Sequence, residues 1–165
     1  MEGTHFTAPV EALVRGHSTT TAGPDLDYTL RAFPNHHRAL LAVVRYGEKF
    51  KSKNPPGLRY PVECWFERAL RFRRDDHIVR MLYASYLDKQ GRLPDALEQL
   101  RIAENEAKDN PFTHYNIGLV YFDLKQYDKA LEQAHRAIAL GFTRTELRDQ
   151  LNGVGKWQDP VPTKP

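Results

Sequence analysis

PFTHYNIGLVYFDLKQYDKALEQAHRAIAL, residues 111–140, is the stretch whose reading decides the fold. It reads as two short helices folded back on each other. Small residues, Gly118, Ala130, Ala134 and Ala137, recur at helical spacing, with Ile117, Tyr121, Tyr127 and Ile138 between them. Close-packed antiparallel helices need this mixture, because a small side chain on one helix leaves the space that a large one on the other fills. A copy stands upstream: Ala84, Ala96 and Ala103 precede Gly118, Ala130 and Ala137 by 34 residues each. Small positions returning at one period, without a gap, mark a helical repeat.

The period and pattern resemble the tetratricopeptide repeat family. The family motif has a small eighth residue, bulky seventh and eleventh residues, alanine at the twentieth and usually at the twenty-seventh position. These are Gly118, Ile117, Tyr121, Ala130 and Ala137 in the last repeat, with Tyr127 at the usual aromatic seventeenth. In the middle repeat they are Ala84, Tyr83, Leu87, Ala96 and Ala103, with the turn glycine present as Gly91. Lys125 replaces that glycine in the last repeat. The resemblance implies an all-α, right-handed α-solenoid of three helix pairs that binds other proteins without catalysis.

Working outward from this stretch, repeat 2 spans 77–110, repeat 3 spans 111–142, and a polar-backed capping helix fills 143–157, before a loose tail at 158–165. Stacked repeats need such a cap because the last one has no neighbour to cover it. Repeat 1, at 35–76, is weaker in pattern. With Ala42 as its small eighth residue and Ala69 as its twenty-seventh, it carries an eight-residue insertion near 50–60 and has Val62 where alanine is usual. Asn35 is read as the cap of its first helix, and Asp75 and Asp76 as caps of the next pair. Residues 1–34 lack the repeat but hold Phe6, Val10, Leu13, Val14, Leu26, Tyr28, Leu30 and Phe33, which predicts an apolar arm docked on the repeats. Asp27 is read as the cap of a short turn running to Phe33.

The chain of 165 residues, 41% hydrophobic and 27% charged, has the composition of a soluble globular domain. It lacks an apolar run of membrane-spanning length and a signal peptide. The segment LDYTLRAFPNHHRALLAVVRYGE, residues 26–48, also looks like the leading segment of small bacterial tetratricopeptide proteins that are commonly exported. That likeness favours a periplasmic or exported location over a cytoplasmic one. The single cysteine, Cys64, is read as a buried, inert thiol.

By family geometry, the first helix of each pair lines the ligand-bearing concave face. Its candidate partner-binding residues are Tyr46, Met81, Phe112, Tyr115, Leu119 and Phe122, an apolar and aromatic set. The Lys, Arg and Asn clamp with which some family members hold a terminal carboxylate is absent; Ala39, Val43, Leu82 and Phe112 stand there, with Asn116 alone able to serve. The groove thus suits an apolar peptide or helix, or the chain's own arm.

A second candidate is the basic stretch 49–80, nine Lys/Arg against four Asp/Glu. Lys49, Lys51, Lys53, Arg59, Arg68 and Arg71 form an anionic-partner patch, the alternative reading being a nucleic-acid or other anionic-polymer binder. Interleaved Glu63, Glu67, Asp75 and Asp76 argue for a solvated charged face. The seven histidines show no metal-ligand spacing and read as capping or packing residues. Neither a nucleophile elbow nor a phosphate loop is present. The sequence therefore predicts a protein-binding adaptor or assembly factor with no cofactor, no metal and no membrane insertion.

Overall fold

The computed structural model describes residues 2–160 and, among them, contains only helices, ten in all. It divides into two compact units, Met1–Tyr86 and Leu87–Pro165, with the division inside one helix. The expected loose tail falls mostly on 161–165, outside the described residues.

The first unit opens with two single-turn helices, α1 (Glu2–His5) and α2 (Ala8–Glu11), followed by α3 (Gly23–Ala32), α4 (His37–Phe50), α5 (Val62–Phe72) and the start of α6 (His77–Lys89). The arm is therefore more regular than its sequence suggests. Pro24, whose fixed φ suits a first helical turn, starts α3 well before Asp27, so Asp27 lies inside the helix and caps nothing. Leu26 and Leu30 on α3, and Phe6 and Val10 upstream, are buried, whereas Val14, Tyr28 and Phe33, expected to dock with them, stay exposed. The Phe6 ring meets His36 edge-on at 4.5 Å, Arg38 pairs with Glu11, and the Lys49 ammonium donates to the Leu13 carbonyl at 2.8 Å. These contacts lay the arm along α4.

Repeat 1 closes through a substitution that balances itself. At Gly47 an added Cβ would lie 3.0 Å from the Val62 side chain and 3.1 Å from the Ser52 carbonyl. The missing side chain of Gly47 thus makes room for the valine that stands in place of alanine at the start of α5. Asn35 does not cap α4; His36 does, its Nδ1 accepting from the Ala39 N–H at 3.2 Å. Asn35 donates instead to Asp76, which caps α6 through the Val79 N–H at 3.1 Å. Asp75 pairs with Arg73.

The second unit contains the end of α6, then α7 (Leu93–Ala107), α8 (Pro111–Asp123), α9 (Tyr127–Ala139) and α10 (Glu146–Gly153). Its turns share a closing hydrogen bond. After α6 the Arg92 N–H returns to the Leu87 carbonyl at 2.9 Å; after α8 the Gln126 N–H returns to Tyr121 at the same distance, 34 residues later. The left-handed residue in each turn is Gly91, φ 74°, and Lys125, φ 60°. Lysine therefore takes the glycine conformation, at a cost of about 1 kcal/mol. Asn110 caps α8 through the Thr113 N–H.

Gly118 is the packing centre of this unit. A Cβ there would lie 2.5 Å from Leu147 Cδ2, 3.2 Å from Gln133 Cβ and 3.4 Å from the Ala130 carbonyl. The small residue of α8 thus receives both α9 and the capping helix. That helix begins at Glu146 rather than Thr143, because Phe142 is held over Tyr115 and residues 143–145 are spent crossing to it. Beyond it, Trp157 lies against His135 and under Arg148.

Candidate functional site

The groove residues fall into two sets by unit. On α4, Tyr46 is 1% exposed; its hydroxyl donates to the Pro56 carbonyl at 2.9 Å, and its ring meets Phe50. Ala39 and Val43, on the same expected face, are fully buried. Met81 on α6 is 9% exposed.

On α8, Phe112, Tyr115, Leu119 and Phe122 follow steps of three, four and three residues, which sets them in one stripe. Phe112 is 55% exposed, and Leu119 and Phe122 are half-buried. Tyr115 is 4% exposed, packed on Phe142 at 4.6 Å and donating to Glu146 at 2.6 Å. Burial, and then the Glu146 carboxylate, push its pKa up to about 12, so the phenol stays protonated as a donor. Phe112 lies 6.2 Å from the Phe142 ring, and Phe122 lies 5.3 Å from Tyr127. The surface left on α8 is thus Phe112, Leu119 and Phe122, with Tyr115 locked beneath.

Of the basic residues, Lys49, Lys51, Lys53, Arg59 and Arg71 are exposed. Arg68 is set apart, its guanidinium resting over the Tyr60 and Trp65 rings at 5.3 and 5.8 Å. Two of the interleaved carboxylates have other tasks. Glu63 accepts from the Tyr83 hydroxyl at 2.8 Å, and Asp76 serves the cap already described, with His37 donating to it at 2.9 Å. Cys64 is half-buried and unbridged.

Buried aspartates hold the first unit together. Asp25, buried, accepts from His5 Nδ1–H and the His17 backbone N–H, both at 2.8 Å. Asp27 accepts from the Arg59 N–H at 2.7 Å and from Arg31 at 2.8 Å. In the second unit His114 is fully buried, with Nε2 2.6 Å from the Lys108 carbonyl and Nδ1 2.7 Å from the Gln133 amide. Both ring nitrogens thus lie beside carbonyl oxygens, that of Lys108 and the Oε1 of Gln133. The residue is a packing group, tying α8 to the end of α7 and to α9. Among the described residues, His, Cys, Asp and Glu form no group placed to hold a metal, and no helix is long and apolar enough to cross a membrane.

Residues 111–140, the α8–α9 pair, match the family model of the tetratricopeptide repeat. The chain carries a tetratricopeptide repeat. No curated protein matches it. Tetratricopeptide repeats generally mediate protein–protein interactions and are typically non-catalytic, and the matched repeat is the one that bears the exposed Phe112.

Proposed function

We propose that the protein is a non-catalytic interaction module, an adaptor or assembly factor, that takes an apolar peptide or helix of a partner on the α8 face of its tetratricopeptide repeat. The observation that carries this reading is Phe112, a large apolar side chain 55% exposed in line with Leu119 and Phe122. Exposed aromatics in a row on a family scaffold used for protein binding are suited to insertion between a partner's side chains. Tyr115 supports the stripe from below, fixed by Glu146 and Phe142. The buried Tyr46, Ala39 and Val43 favour the arm as the occupant of the first repeat's face, leaving the third repeat for the partner.

Phe112→Ala with Phe122→Ala should reduce partner capture from the native host's extract by about tenfold or more, with helical circular dichroism unchanged. Phe72→Ala, which removes another exposed aromatic from α5, should leave capture intact. Equal losses in both variants, or none in the first, would refute the α8 reading.

A further inference from the structure

The insertion after α4 is a built structure. Lys51 takes a left-handed turn, φ 48°, and the Ser52 N–H returns to the Gly47 carbonyl at 3.0 Å. Farther along, the Val62 N–H closes on the Lys53 carbonyl at 2.9 Å. Pro55 is buried, Tyr46 holds the Pro56 carbonyl from beneath, and buried Asp27 holds the Arg59 N–H. Two glycines allow the close approach: a Cβ on Gly23 would collide with the Pro56 carbonyl, and one on Gly57 would lie 2.7 Å from Pro24. Every fixed atom in this set belongs to the backbone or to a residue beneath the loop.

The cations are what remain outside. Residues 45–61 contain five Lys/Arg and one Asp/Glu. Lys51, Lys53 and Arg59 are exposed, and among the described residues their side chains make no ion pair. Three like charges on one short, anchored loop repel one another. Such an arrangement complements an anion brought from outside.

We propose that the 51–61 insertion is a preformed docking platform for an acidic peptide segment of a protein partner, engaged by Lys51, Lys53 and Arg59. A protein segment fits better than a nucleic acid for two reasons. Single-stranded nucleic acid is held by free aromatic faces beside the cations; here the Tyr60 ring lies under Arg68 and against Trp65, the Tyr46 ring is buried, and Phe50, 39% exposed, has its ring edge-on against Tyr46. A phosphate track also draws on many Lys/Arg contacts, whereas the loop of residues 51–61 carries three.

Anisotropy titrations of the full chain with a labelled Glu-rich peptide, its Gln counterpart and a short oligothymidylate test the proposal. The Glu-rich peptide should bind and the Gln peptide should not. Lys51→Asn, Lys53→Gln and Arg59→Gln together should weaken binding by about tenfold. Asparagine at 51 tolerates the left-handed turn, and the Arg59 change leaves its backbone N–H on Asp27. Asp27→Ala removes the tether without removing a cation and should weaken binding severalfold, because the platform loses its fixed shape. Unaltered binding in the triple variant or in Asp27→Ala overturns the proposal. So does an oligothymidylate that binds tighter than the Glu-rich peptide, which would assign the loop to a phosphate polymer.

Discussion

The two units reach their packing by different means. In the second, periodic small residues set the helix spacing, and Gly118 alone admits both α9 and the capping helix. In the first, buried carboxylates do comparable work across aperiodic sequence: Asp25 gathers α1 and the loop before α3, Asp27 the insertion, and Asp76 the turn before α4. Apolar contacts need only a complementary shape at short range, so a regular sequence can encode them by spacing. Carboxylates can hold irregular backbone because they accept N–H groups that no helix satisfies.

The sharpest break in that comparison is at Gly118. Gly118→Leu should destabilise the second unit by about 3 kcal/mol or more, since the new side chain meets Gln133 and the Ala130 backbone, neither of which can retreat. Thermal or denaturant unfolding measures it.

Asp76 offers the matching break in the first unit. Asp76→Ala should cost about 2 kcal/mol, a lost cap together with charge-assisted hydrogen bonds. Burial opposes ionisation of Asp76, but the hydrogen bonds from His37, the Val79 N–H and Asn35 outweigh it and hold its pKa below the usual carboxylate range. The unfolded chain therefore binds this proton more readily. The stabilisation is whole above a pH of about 4 and is lost as the pH falls through the depressed folded value. Denaturant midpoints measured across that range should converge for wild type and Asp76→Ala as the pH falls. A constant gap would remove Asp76 ionisation from the account.

The smallest effect tests the repeat itself. Gly91 and Lys125 occupy the same turn 34 residues apart. Lys125→Gly should raise stability by about 0.5–1 kcal/mol, less the added freedom of glycine in the unfolded chain, whereas Gly91→Lys should lower it. Chemical unfolding of the two variants side by side reads both signs.

Much of the second unit was legible before any coordinates. The 34-residue spacing of small residues placed α8, α9 and the turn between them. The stripe on α8 followed from the same periodicity, but the loss of Tyr115 from the free surface did not. It depends on Glu146, 31 residues away, and on where Phe142 is held. Likewise Tyr46 read as a groove residue until Pro56 and the arm were placed over α4. The basic insertion was visible as a count of charges, while the destinations of its neighbouring carboxylates were not.

The sequence by itself determined the helical repeat, its period, its turns and the apolar character of α8, because helix packing at short range is written in residue size and spacing. Only the tertiary structure decided which of those apolar side chains stay exposed, which aspartates bind irregular backbone, and that among the described residues the Lys51, Lys53 and Arg59 side chains make no ion pair. Exposure and pairing depend on groups brought together from distant parts of the chain, and no local pattern records them.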